Sequence, residues 1–91
     1  MSVKEKTSNL GYQQISSPAV STRPTVPNGA RAARIQAEAQ AIRWRDDGLP
    51  PTATVGMLLA AGSDMYYDGE LAKLQVIQAT AGGIVNISYY A

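Results

Sequence analysis

Residues 41–62, AIRWRDDGLPPTATVGMLLAAG, decide the fold of this chain. Ile42 and Trp44 alternate with arginines, and the run then stops at an Asp-Asp-Gly turn. A pair of prolines follows, and after it a second extended run over residues 52–59. Alternation with a period of two, interrupted by turn residues, is typical of a strand, a tight corner and another strand. This stretch therefore predicts β structure in an alanine-rich chain that is easily mistaken for a helical one.

Residues 30–44, ARAARIQAEAQAIRW, are compatible with two local structures. They are rich in helix-forming residues, and some of their apolar positions repeat at helical spacing. Over residues 33–40, however, small or apolar residues alternate with polar ones, and the phase slips by one at Ala41. A slip of one residue is what a bulge or a corner produces in β structure. The pattern alone leaves open a helix or two strands, at about 31–38 and 41–46.

The N-terminal third is predicted to lie outside the central strands. Residues 1–11 are mostly polar and predict an arm that is flexible or ordered by a partner. Residues 12–16 predict a short first strand. Residues 17–29 hold three of the five prolines, which lack a backbone donor, so they predict an edge strand or connector that ends in an Asn-Gly turn.

Short extended segments continue to the C-terminus. Residues 65–67, 75–80 and 84–90 predict strands, with a helical or 3₁₀ turn over residues 71–74. In the last strand the alternation predicts that three residues point inward, namely Val85, Ile87 and Tyr89.

Seven or eight short strands with turns every eight to twelve residues predict an all-β fold. We expect a small β-sandwich or jelly-roll-like barrel of antiparallel strands with an extended N-terminal arm. Residues 12–91 form its single domain.

Composition argues against several classes of function. The chain has no cysteine and no histidine, so it lacks the thiol and imidazole groups of many catalytic and metal sites. Its net charge is +1, and its arginines are offset by nearby acids, which argues against a nucleic-acid surface. No apolar run is long enough to span a bilayer. We therefore predict a non-enzymatic protein with no cofactor and no nucleic-acid or membrane partner.

Three groups of residues are candidates for a catalytic, metal-binding or stacking site. Asp46 and Asp47 are the only adjacent carboxylates, and a turn that bonds its own backbone explains them better than acid–base catalysis does. Five acids on turns could gather around calcium, although their spacing matches no metal loop: Asp46, Asp47, Asp64, Asp68 and Glu70. Trp44 between two arginines could be a stacking platform, but a core position suits a single tryptophan better.

Two longer strings carry a family resemblance. Residues 33–62, ARIQAEAQAIRWRDDGLPPTATVGMLLAAG, and residues 74–91, LQVIQATAGGIVNISYYA, resemble small proteins encoded in the structural-gene regions of tailed bacteriophages. The RWRDDG and PTATVG motifs are its most specific part, and the ending NISYY supports it. The resemblance covers about two thirds of the chain, favours two strands within residues 30–44, and implies a virion structural protein such as a capsid decoration or cement protein.

The resemblance implies a function through protein–protein contacts. The expected partners are the major capsid protein or other virion proteins and further copies of the chain in a homo-oligomer. The chain would bind as a trimer or monomer to a particle assembled in the bacterial cytoplasm. The alternative is a neck, tail-tip or tail-fibre module that recognises a receptor or glycan. From the polar arm, the charged turn and the exposed terminal tyrosine we predict these interface residues: Val3, Leu10, Tyr12, Arg43, Arg45, Asp46, Asp47 and Tyr90.

Overall fold

The chain folds into two antiparallel sheets that pack face to face. The computed structural model describes residues 8–91, so Val3 and most of the predicted arm lie outside the described residues. A 3₁₀ turn, Leu71–Lys73, precedes the sixth strand at the position predicted for it. The seven described strands are β1 Asn9–Ser16, β2 Ala32–Glu38, β3 Ile42–Arg45, β4 Met57–Leu59, β5 Asp64–Tyr67, β6 Gln75–Gln78 and β7 Ile84–Tyr90. The predicted small all-β sandwich is confirmed.

The two sheets have four and three strands. The larger sheet has the order β1-β7-β2-β5, and the smaller has the order β4-β3-β6. All of these pairings are antiparallel. Strand β7 lies between β1 and β2, so the first and last strands of the chain are neighbours. No helix within residues 8–91 is long and apolar enough to cross a membrane.

The core lies between the sheets and follows the alternation of the strands. Val85, Ile87 and Tyr89 of β7 are buried, as predicted. Ile35 of β2 is fully buried between two alanines, and Ile42 of β3 faces it from the smaller sheet. Full burial of an aliphatic side chain of this size contributes about 1.5–3 kcal/mol. The apolar side chains that alternate inward from these strands therefore contribute much of the stability of the domain.

A corner at residues 39–41 resolves the ambiguous alanine-rich segment in favour of two strands. Ala39 has a φ of 71°, in the left-handed region that alanine rarely adopts. The Gln40 N–H donates to the Glu38 carbonyl, which closes a tight turn. The chain thereby leaves β2 in the larger sheet and enters β3 in the smaller sheet. The phase slip in the sequence marks this change of sheet.

Three predicted strands differ from the structure by two residues or more, and the smallest difference is in β6, which ends at Gln78 and not at residue 80. The strand predicted over residues 52–59 is only three residues long, because Thr52 and Val55 exchange backbone hydrogen bonds in a turn. The Thr52 hydroxyl also accepts a bond from the Val55 N–H at 3.0 Å. At the other end, β1 begins at Asn9, so the last part of the predicted arm is paired with β7. The backbone of Ser8 continues this pairing by accepting a hydrogen bond from the Ala91 N–H.

The proline-rich segment is an extended connector, as predicted. Thr22 forms an isolated antiparallel bridge with Val76 of β6, and Pro18 accepts a hydrogen bond from the Gln78 N–H. One edge of the smaller sheet is therefore covered by this connector. The connector ends at the predicted Asn-Gly turn, where the Ala30 N–H donates to the Pro27 carbonyl.

Candidate binding surfaces

The turn after β3 is held together by its own charged side chains. Arg45 and Asp47 form a two-point ion pair, with Nε to Oδ1 at 3.0 Å and Nη2 to Oδ2 at 2.5 Å. The Arg45 hydrogen bond lowers the pKa of Asp47 to about 2. The Leu49 N–H also donates to Asp47, at 3.3 Å. This pair fixes the shape of the turn and presents its charges at the surface.

Asp46 has a different environment from its neighbour. It accepts a hydrogen bond from the Tyr67 hydroxyl at 2.6 Å. Burial, and then this bond to Asp46, raises the pKa of Tyr67 well above its usual range. The Tyr67 ring also meets Trp44 edge to face, with ring centroids 5.7 Å apart. Trp44 is therefore a half-buried packing residue and does not present a free stacking platform.

Arg43 supports the loop that precedes β4. Its guanidinium donates to the Ala53 carbonyl at 3.2 Å and to the Gly56 carbonyl at 2.9 Å. These bonds give a partner to two backbone carbonyls of a loop that lies outside the strands. Arg43 therefore stabilises the local fold. The sequence predicts Arg43 as an interface residue because it shows no local partner for this charge. The structure shows that its hydrogen bonds are local.

A groove opens beside this turn. It has a volume of about 420 Å³ and combines charged residues with an apolar wall: Arg45, Asp46, Asp47, Val55, Gly56 and Met57. Three of the predicted interface residues therefore lie together in one groove. The sequence does not reveal this apolar wall, because residues 52–59 predict one continuous strand and not an exposed loop before a short edge strand.

Strand β4 is an edge strand that exposes apolar side chains. Among residues 8–91 its one partner strand is β3. Met57 is 59% exposed and Leu58 is 56% exposed, and Leu49 and Val55 in the adjoining loop are also exposed. An exposed apolar edge is uncommon in monomeric proteins and typically marks an interaction site. We call Leu49, Val55, Met57 and Leu58 the apolar edge.

The outer surface of the larger sheet has a different character. Two neighbouring rows of cross-strand partners run over it, Tyr12–Ser88–Arg34–Tyr66 and Gln14–Asn86–Gln36–Asp64. We call these eight residues the polar face. Most of them, with Ile87, line a shallow groove of about 170 Å³. Tyr12, predicted as an interface residue, is 64% exposed on this face.

The remaining predicted interface residues are separate from both grooves. Leu10 lies in β1 near the Asn-Gly turn and is about one-third exposed. Tyr90 is partly exposed near the end of β7, where it pairs with Ala32 and Asn9. Neither residue joins the charged turn in a common surface. The described members of the predicted set therefore do not share one surface.

The acidic residues do not form a metal site in the described part of the chain. Among residues 8–91, no three acidic side chains are close enough together to hold a metal ion. Asp46 and Asp47 are each engaged with a different local partner, and Asp64 is paired with Arg34 at 2.8 Å. Comparison of the chain with protein-family models, with curated proteins and with solved structures gives no match.

Proposed function

We propose that this protein is a non-enzymatic structural component of a tailed-phage virion that decorates the head and stabilises the capsid through protein–protein contacts. The observation that carries the proposal is the apolar edge beside the charged groove. The resemblance of residues 33–62 and 74–91 to phage structural proteins supports the same role. The major capsid protein is the proposed partner.

The apolar edge has the chemistry of a docking surface. Burying an exposed side chain such as Met57 or Leu58 contributes up to about 1.5–3 kcal/mol. The free side of β4 also offers unpaired backbone groups to a partner strand, so docking could combine apolar contact with strand addition. The Arg45–Asp47 pair at the rim would help to set the orientation of the partner.

A repeated lattice suits a small domain of this kind. A capsid presents many identical sites, so a modest contact at each site adds up when the copies are linked. We propose that the protein binds as a monomer or trimer and bridges neighbouring capsid subunits. A location at the neck or tail would use the same edge on a different partner, and it is the second candidate.

Binding to particles tests the proposal. Phage particles assembled without this protein would be incubated with the recombinant chain, and bound copies would be counted after sedimentation and located by immunogold electron microscopy. The wild-type chain should label heads. Labelling of the neck or tail would contradict head decoration, and absence from all particles would overturn a virion role.

Matched variants test the surface. The double variant M57S/L58S removes apolar contact from the edge strand and should reduce occupancy by about tenfold or more. Val20→Ser is the control, because Val20 is also exposed but lies on the proline-rich connector. Docking through the apolar edge would be contradicted if both variants lost binding equally, or if neither variant lost binding. Circular dichroism would confirm that each variant remains folded.

A further inference from the structure

The polar face carries two tyrosines on one cross-strand row. Tyr12 on β1 and Tyr66 on β5 occupy opposite edges of the four-stranded sheet, with Ser88 and Arg34 between them. Three inter-strand steps separate the two tyrosine backbones by about 14 Å. Tyr66 is 50% exposed, so both rings offer apolar surface to solvent. The row therefore has an aromatic residue at each end and polar groups in the middle.

Asn86 organises the second row through four hydrogen bonds. Its Oδ1 accepts from the Tyr12 hydroxyl at 2.5 Å and from Gln14 at 3.0 Å. Its Nδ2 donates to Gln36 at 3.0 Å and to Glu38 at 2.8 Å. Because this central amide is fully bonded, the surrounding polar side chains are held in place before any ligand arrives. Such preorganisation reduces the entropy that binding costs.

The charges of the polar face argue against several ligands. Arg34 is paired with Asp64 at 2.8 Å, and Glu38 adds a negative charge at the end of the Asn86 network. A phosphate-rich polymer needs a surplus of basic groups, which this surface lacks. Besides Ile87, this groove is lined by tyrosine, amide, hydroxyl and ion-paired side chains, whereas the apolar edge exposes aliphatic ones. A neutral ligand rich in hydroxyl groups fits both the aromatic ends and the polar centre.

We propose that the polar face binds a neutral oligosaccharide across the four strands. Sugar rings stack on Tyr12 and Tyr66, and sugar hydroxyls exchange hydrogen bonds with Ser88, Gln36 and the Arg34–Asp64 pair. This inference does not depend on the proposed contact with a capsid, since the polar face shares no residue with the groove beside the apolar edge. It gives the protein a second surface with a different class of ligand.

Affinity electrophoresis and a glycan array test this inference. The recombinant chain would be run through gels that contain neutral glucans, galactans or mannans, and then applied to an array of neutral and acidic bacterial glycans. Retention by at least one neutral glycan is expected. No retention by any neutral glycan, or retention by acidic glycans alone, would overturn the proposal.

Variants distinguish a built site from weak surface adsorption. Tyr66→Ala removes an exposed ring from edge strand β5 and should weaken binding to the retained glycan by about tenfold. M57S/L58S is the control and should bind the glycan as the wild type does, even if it no longer binds particles. Unchanged binding by Tyr66→Ala, or equal loss in both variants, would overturn the assignment to the polar face.

Discussion

Tyr89 shows how one buried side chain links the core to solution pH. Its side chain is almost completely buried, and its hydroxyl donates to Gln13 at 2.9 Å. Burial raises the pKa of Tyr89 from 10.0 to about 12. The phenol therefore stays neutral in the folded protein at a pH where it ionises in the unfolded chain.

This shift predicts a loss of stability at alkaline pH. The raised pKa of Tyr89 means that its contribution is complete below pH 10 and is lost progressively as the pH rises to about 12. Tyr89→Phe should flatten this part of the curve when urea unfolding is measured as a function of pH. Val20→Ser changes an exposed residue that has no ionisable group and is the control, which should keep the wild-type dependence. Identical curves for wild type and Tyr89→Phe would contradict the prediction.

Single residues also show what the sequence could not reveal. The Asp-Asp-Gly motif predicts a turn that bonds its own backbone, and the structure confirms this for Asp47, which accepts from the Leu49 N–H, but not for Asp46. No local motif indicates that Asp46 bonds Tyr67, which lies 21 positions away. Nor does any local motif indicate that Arg43 bonds the loop at residues 53–56. Both contacts depend on how β3 is placed relative to later segments.

At the scale of the elements, the proline-rich connector stabilises the smaller sheet without being one of its strands. The Thr22 N–H donates to Val76 at 2.8 Å, and the Thr22 carbonyl accepts from Val76 at 2.9 Å. These two bonds cover the free edge of β6. The connector therefore limits the pairing of β6 with another chain, whereas β4 at the opposite edge of the sheet stays open.

Replacing Thr22 by proline tests this support. Thr22→Pro removes the N–H donor and leaves the Val76 carbonyl without its partner, so we expect a loss of about 2 kcal/mol in the free energy of unfolding. Thr22→Ala keeps both backbone bonds and should cost only about 0.5 kcal/mol. Urea titration measures both values. Similar losses in the two variants would show that the side chain, rather than the backbone bridge, matters at this position.

The elements that could be predicted are those with clear alternation. Residues 84–90 alternate over their full length, and their strand and buried face were both predicted correctly. Residues 52–55 are rich in threonine and valine, which favour strands, but the Thr52 hydroxyl bonds the backbone and makes a turn. The intrinsic preference of threonine and valine for strands therefore does not distinguish a strand from a turn at these residues. The sequence therefore predicts one longer strand over residues 52–59 and does not indicate that the apolar edge is exposed.

At the scale of the whole molecule, the order of the strands determines both surfaces. The sequence predicts alternating faces, but it does not say which strands are neighbours. Gln14, Asn86 and Gln36 form one row only because β7 lies between β1 and β2. The polar face is thus a property of topology, and no local motif could have indicated it.

The same topology predicts slow folding. Strand β7 pairs with both β1 and β2, which are far from it in sequence, and such distant pairings slow the search for the native state. We expect refolding in the range of about milliseconds to seconds. Trp44 is the only tryptophan and packs against Tyr67, so its fluorescence can follow the reaction by stopped flow. Refolding within microseconds would contradict the expectation.

The central position of β7 also has a consequence during synthesis. Until residues 84–90 have left the ribosomal tunnel, β1 and β2 lack the neighbour that they share in the larger sheet. The nascent polypeptide then carries β1 without its partner strand and β2 with one edge unpaired, and such edges can pair with other newly made copies. Crowded translation at high expression is therefore expected to favour its aggregation.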